Sequence, residues 1–265
     1  MAHDDYEIHA VKYAHHPRRS PENFLGGDPH DTDMPLDYFV WVVRNAERTF
    51  VVDTGFGEDM ARQRQRRLTQ PVGEGLRALG IDAATVSDVV ITHMHYDHAG
   101  NLDLFPAARL HIQDTEVQYV TGRCMCHDLM RHPYDVGHVT TLVRRVYDGH
   151  VCFHDGAEEI APGIEVHHIG GHTRGIQCVR VRTRRSWVVL ASDTSHFYAH
   201  METDRAFPIV HNVELMLEGF GKLRKLATSP DHIIPGHDPL VLSRYPASAA
   251  GLEGWVARLD ADPRR

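Results

Sequence analysis

The sequence predicts an α/β fold in which short buried strands deliver polar residues to one site. Three observations lead there. The chain has 265 residues, 42% of them hydrophobic, enough for a sizeable core. Short β-branched runs alternate with stretches of helical character. Several of those runs end in His or Asp beside glycine. Phe50-Val51-Val52 leads to Asp53-Thr54-Gly55, and Val89-Val90-Ile91 to His93. Ile164 to Ile169 leads to Gly170-Gly171-His172, Val188 to Leu190 to Asp193, and Ile233-Ile234 to Pro235-Gly236-His237. Continuous apolar runs mark strands buried on both faces, and polar loops at one sheet edge are where sites are built.

Taken in order, Arg18 to Pro35 is rich in Pro, Gly and Asp and reads as an irregular loop. Tyr38 to Val43 and Phe50 to Val52 read as strands joined by a turn at Asn45 to Arg48. Glu58 to Leu68 and Glu74 to Leu79 read as helices, the second stopped by Gly80. The Arg62 to Arg67 run is expected on a solvated helix face. Phe105 to Val120 reads as a strand followed by a helix.

Residues 121–154 are rich in His, Arg and Tyr, with a helix expected around Val139 to Val146. This stretch reads as a lid insertion within a single domain spanning 1–265. Val179 and Val181 alternate with Arg180 and Arg182, a half-exposed strand that turns at Arg184-Arg185-Ser186 into the next. Gly251 to Leu259 reads as a short closing helix.

The formal net charge of -8 argues against sequence-independent binding of nucleic acid. No apolar run approaches the ~20 residues that span a bilayer, so no membrane partner is expected. The opening M-A-H-D-D-Y-E has neither a basic segment nor an apolar one, which suggests a cytoplasmic protein. The four cysteines, Cys124, Cys126, Cys152 and Cys178, form no C-x-x-C pair and read as reduced thiols. Cys152 and Cys178 are expected in the core, and Cys124 and Cys126 in a packed or lid segment.

The chemistry concentrates in T-H-M-H-Y-D-H-A-G-N, residues Thr92 to Asn101. With 22 histidines in the chain, spacing must select the functional ones. His93 and His95 are two apart, so in an extended segment they point the same way and can share an ion. Asp97 and His98 are adjacent and need a turn to aim together. Four ligands of one ion packed this tightly would be strained, whereas two ions sharing the loop would not. His172, Asp193 and His237 are the natural completers, and the two oxygens of Asp193 suit a bridge. Imidazole with carboxylate suits zinc first, with iron, manganese, cobalt or nickel as alternatives.

These residues carry a resemblance. H-M-H-Y-D-H, with D-T-G before it and G-G-H-T-R-G, S-D-T and P-G-H-D after it, resembles the metallo-β-lactamase superfamily across nearly the whole chain. The resemblance implies an αββα sandwich, two mixed β-sheets flanked by helices, with a dinuclear metal site. It implies that His93, His95 and His172 hold one ion and that Asp97, His98 and His237 hold the other. Asp193 bridges the two, and Asp53 orients a ligand histidine.

Within the superfamily the chain is most similar to the N-acyl homoserine lactonase group, through its size and the G-H-T-x-G-x-Q segment at Gly171 to Gln177. That group commonly has a tyrosine three residues after the bridging Asp. Here the position is His196, with Tyr198 two further on, and both are candidate hydrogen-bond donors to the substrate. The implied reaction is attack of a metal-bridging hydroxide on a lactone carbonyl, with Asp97 shuttling the proton to the leaving oxygen. A thioesterase or other carboxylic-ester hydrolase of the same superfamily is the alternative. It ranks lower because no basic cluster is evident for an anionic substrate. A non-enzymatic metal-binding protein ranks below both. The expected partner is a small lactone or ester, and a homodimer is compatible with the reading. Arg174, Glu22, Asn23, Phe24, Phe207-Pro208 and Met216-Leu217 are further candidates for the pocket wall, although Met and Leu at helical spacing more often mean core.

Overall fold

The computed structural model describes residues 5–264. Two mixed sheets pack face to face with helices outside each, the αββα sandwich the resemblance implies. The first sheet is built from β1 (Glu7–His16), β2 (Leu36–Arg44), β3 (Thr49–Val52), β4 (Arg67–Leu68), β5 (Asp88–Val90), β6 (Arg109–Gln113), β7 (Val151–His154) and β13 (Val256–Arg258). Its order is β13-β1-β2-β3-β5-β6-β7, with β4 on β1. The second contains β8 (Ala157–Ala161), β9 (Ile164–His168), β10 (Gln177–Thr183), β11 (Ser186–Ser192) and β12 (Ile233–Pro235), in the order β12-β11-β10-β9-β8.

Period-two alternation explains the layers. Along β2, Phe39, Trp41 and Val43 enter the core between the sheets, while Tyr38, Val40 and Val42 enter a second core on the outer face. That outer core is covered by α1 (Glu58–Arg64), α2 (Val72–Ala78) and α5 (Val136–Tyr147), through Met60, Leu76 and Leu142. On the other side α7 (Val213–Leu226) packs Met216, Phe220 and Leu223 into the first core. This is why Val188 to Leu190 is apolar without alternation: β11 is covered on both faces. Gln177 stitches the sheets together, its Nε2 donating to the carbonyls of Ile91 at 2.9 Å and His111 at 3.1 Å.

Several expectations need correction. The helix expected over Glu58 to Leu68 stops at Arg64, because Gln65 adopts a left-handed conformation with φ 54°. The chain then turns back, and Arg67–Leu68 pairs with β1. Gly251 to Leu259 is not a helix; Val256–Arg258 is an edge strand antiparallel to β1. Cys152 is half-buried rather than core, whereas Cys178 is buried. Residues 121–154 divide in two: α5 and β7 are a crossover and a strand of the first sheet, parallel to β6. The part that faces the site precedes α5 and includes α4 (Asp128–Arg131).

Candidate metal centre

The parallel pairs β3–β5 and β11–β12 end at the same edge of the sandwich. Their following residues are Asp53, the Thr92 to His98 loop, Asp193 and the Gly236-His237 turn, and all are buried. His172 arrives from the loop between β9 and β10, which packs against α3 (Asp114–Val120) at Gly175. A Cβ on Gly175 would lie 2.1 Å from the Glu116 nitrogen, so only glycine fits. Gly236 is equally constrained, with Asp193 Oδ1 2.6 Å from a Cβ position.

All seven expected ligand residues converge. They form two groups, His93–His95–His172–Asp193 and Asp97–His98–Asp193–His237. Within each group one ligand-type atom per residue lies within 4.8 Å of every other. Asp193 belongs to both. Its Oδ2 is 3.3 Å from His172 Nε2, and its Oδ1 is 3.0 Å from His237 Nε2 and 3.3 Å from His98 Nε2. His95 Nδ1 and His172 Nε2 face each other at 2.9 Å. Asp97 Oδ2 is 3.6 Å from His98 Nε2 and 3.7 Å from His237 Nε2.

The donor set fits divalent cations. His93 Nε2, His98 Nε2 and Asp193 Oδ1 are buried with no hydrogen-bond partner. Such orphaned groups cost about 1–3 kcal/mol each in a protein interior, a cost that ligation removes. Imidazole and carboxylate without thiolate is a zinc-type or iron-type set.

The rear of two of the rings, His98 and His237, is also held. His98 Nδ1 bonds Asp53 Oδ2 at 2.7 Å, which leaves Nε2 facing the site. Asp53 in turn accepts from the Thr92 amide at 2.7 Å and the Thr92 hydroxyl at 2.8 Å. His237 Nδ1 donates to the Asp37 carbonyl at 2.9 Å. Glu116, fully buried, accepts from the Met94 amide at 2.9 Å, Thr173 Oγ1 at 2.7 Å and the Gly175 amide at 3.0 Å. It thereby clamps the two histidine-bearing loops to each other. Sequence reasoning missed both Glu116 and the Asp37 carbonyl.

The electrostatics divide the ring. Burial, with neighbouring histidines, holds His93 and His95 well below the usual imidazole value. Burial also pulls on His98, but Asp193, Asp53 and Asp97 outweigh it and hold its pKa well above the usual value. Burial would raise Asp193, yet His237, His98 and His196 keep it well below the carboxylate range.

The two candidates after the bridging position part company. His196 is buried at the cleft floor, its Nε2 2.9 Å from Asp193 Oδ2 and its ring 3.8 Å from that of Phe207. Tyr198 does not reach the site. It opens α6 (Tyr198–Thr203) rather than continuing an extended segment, so its side chain turns into the core under the Arg244 guanidinium, 3.8 Å away. Of the two candidate donors, His196 lines the cleft and Tyr198 does not. Arg174 is exposed and sits over Tyr119, at 5.4 Å, rather than in the cleft. Phe24 and Asn23 are buried beneath the loop, and its exposed Leu25 is the residue that lines the pocket.

The cleft has two arms that meet at His95 and His172. One is apolar, about 360 Å³, lined by Leu25, Tyr119, Leu129, Met130, Tyr134 and Ile209 among others. The other is polar, with Arg18, Arg64, Arg66, Tyr38 and Tyr96 above Asp97, His196 and His237. The Arg62 to Arg67 run is thus only partly a solvated face: Arg64 and Arg66 turn into the cleft.

Comparisons with known proteins bear on the family and the fold. A family model described as the metallo-beta-lactamase superfamily matches residues 34–237. A probable metallo-hydrolase of Mycobacterium tuberculosis is 24% identical over 223 residues, 77% of this chain and 72% of that protein. An N-acyl homoserine lactonase of a Bacillus species is 24% identical over 221 residues, 77% of this chain and 82% of that one. The crystal structure of a quorum-quenching N-acyl homoserine lactone lactonase has a TM-score of 0.73 at 20% identity, over 90% of this chain and 94% of that one. A probable metal-dependent hydrolase from Staphylococcus aureus has a TM-score of 0.75 at 14% identity, over 100% and 97%. At these identities the structural likeness speaks for the fold. With the family model matched over most of its length, the chain belongs to the metallo-β-lactamase superfamily.

Proposed function

We propose that the protein is a dinuclear metal-dependent hydrolase that opens a lactone. The observation that carries this reading is the pair of adjoining His/Asp groups sharing Asp193 at the floor of a two-armed cleft. His93, His95 and His172 hold one ion, Asp97, His98 and His237 the other, and Asp193 lies between them. Two bound divalent cations, zinc in the first instance, supply an acidified water as nucleophile and polarise the ester carbonyl. Similarity to N-acyl homoserine lactonases supports a cyclic ester as substrate.

The residues of this chain do the rest. Asp97 faces the cleft beside His98 and His237. It takes the proton of the attacking water and returns it to the ring oxygen as the acyl C–O bond breaks. Asp53 and the Asp37 carbonyl fix the ring nitrogens that face the site. His196 acts through Asp193, holding its Oδ2 and walling the cleft against Phe207. The apolar arm receives an acyl or alkyl group and sheds its water.

The thioesterase reading gains from the structure what it lacked in the sequence, a basic cluster at the cleft. One panel tests both. Purified, metal-loaded protein is assayed on γ- and δ-lactones and on acyl thioesters, with and without a chelator. Chelator-sensitive ring opening is the expected result. Turnover confined to thioesters would replace the lactonase reading with its rival.

A further inference from the structure

Arg18, Arg64 and Arg66 come from three different places. Arg18 follows β1, Arg64 ends α1, and Arg66 lies in the turn created by Gln65. All three line the polar arm of the same cleft. Arg64 is committed to the protein: it donates to the carbonyls of His132 at 2.6 Å and Tyr134 at 3.0 Å, and so pins the segment before α5. Arg66 is oriented only by neutral groups, Nε to Tyr96 Oη at 3.1 Å and Nη1 to the Arg64 carbonyl at 2.7 Å. Arg18 donates Nη2 to the Glu22 carbonyl and has a single, loose ion pair, 3.9 Å to the Glu22 carboxylate at the exposed rim, although its side chain is only 19% exposed. The two carboxylates on the floor of this arm, Asp97 and Asp193, are turned towards histidines, Asp97 to His98 and His237 and Asp193 to His172, His196 and His237.

Two guanidiniums held close together without a matching buried carboxylate repel one another. Two further observations register that field. Burial lowers the pKa of Arg18 and Arg66 adds to it, against Glu22 and Tyr38, while against burial Tyr38 and Tyr96 hold Arg66 itself above its usual value. Burial, Arg66 and Arg18 together hold His16 down to about 4. A cationic pair retained at this cost, in an arm whose carboxylates are turned to histidines, is suited to an anion that is not part of the chain. Arginine with its planar fork suits a carboxylate in particular.

We infer that the polar arm is a carboxylate-binding subsite in which Arg18 and Arg66 hold an anionic group of the substrate, while the apolar arm takes its hydrocarbon part. The substrate is then an amphipathic lactone or ester bearing a free carboxylate, rather than a neutral one. This rests on the hydrolase reading above for the reaction, but not for the binding.

The test uses metal-loaded full-length protein and two matched pairs of probes. The first pair is a γ-lactone carrying a ring carboxylate and the same lactone as its primary carboxamide. The second pair is the ring-opened hydroxy-dicarboxylate and its monoamide, titrated by calorimetry. A charge-assisted pair with arginine predicts a preference of about tenfold or more for the extra carboxylate in both kcat/KM and Kd, expressed in KM rather than kcat. In R18Q and R66Q that preference falls to about threefold or less, with metal content and Tm measured alongside. Arg66 also bonds the main chain, so if R66Q does not fold, R18Q decides. Equal binding of dicarboxylate and monoamide by the unmodified protein overturns the inference. A protein that opens neither lactone but still prefers the dicarboxylate, with the preference lost in R18Q, refutes the lactonase reading and upholds the subsite.

Discussion

His93, His98 and His237 reach the site from the ends of short strands, and each has its second ring nitrogen tied, to Thr92, Asp53 and the Asp37 carbonyl. Arg18, Arg64 and Arg66 reach the same cleft from a loop, a helix end and a turn, and are oriented mainly by carbonyls and a tyrosine hydroxyl. The first arrangement is over-determined: moving one ligand means breaking a buried hydrogen bond and shifting a strand. The second can change without disturbing a sheet. The difference teaches where chemistry and recognition are divided. The ligand ring sets what reaction is available, and the walls set which substrate meets it.

The largest expected effect comes from loosening the rigid side. Asp53→Asn keeps the shape but weakens the acceptor that orients His98. Metal affinity should fall by about 10- to 100-fold at the ion proposed for Asp97, His98 and His237, with the other proposed ion much less affected. Competition with a chromogenic chelator reads the two sites separately. Equal loss at both would mean that the ring responds as one unit and the comparison is too sharp.

A smaller effect concerns the wall. His200 holds the N-terminal loop by bonding the Asn23 carbonyl at 2.9 Å, and burial keeps its pKa down to about 4. The folded value lies below the unfolded one, so the unfolded chain takes up the proton first as pH falls. The stability His200 contributes is complete above about pH 6.5 and is lost between there and pH 4. One such group costs about 2 kcal/mol between pH 7 and pH 5. Urea melts of the unmodified protein and H200Q across that range should show a shallower pH slope for the variant. Identical slopes would remove His200 from the account.

The smallest effect is expected at Tyr198. Its hydroxyl is buried in the core without a partner, so Tyr198→Phe should leave kcat/KM within about twofold, since no hydrogen bond is lost. A drop beyond tenfold would put the residue back at the reacting atoms.

Much of the ligand ring was legible in the sequence, because its residues sit in short contiguous motifs that follow apolar runs. Much of the wall was not, for physical reasons that can be named. The longest stretch of the first sheet to go unread, β1, breaks its alternation at an irregularity between Lys12 and Ala14 and carries His and Glu at its ends. The helix end that turns Arg66 inward is a left-handed Gln65, where glycine or asparagine is the usual signal. Glu116 looked like any carboxylate on a short helix until three donors from two loops were found on it. The tie on His237 is a main-chain carbonyl, which leaves no mark on residue identity. Tyr198 turns away from the site because α6 begins there, a start that its N-cap residue Phe197 does not signal.

The central claim is that two ions, not one, make the site competent. Metal-free protein is titrated with zinc while bound metal and lactone or ester turnover are followed together. Activity should appear as the second equivalent binds, with about two ions per chain at saturation. Full turnover at one ion per chain, or in the presence of excess chelator, would contradict it.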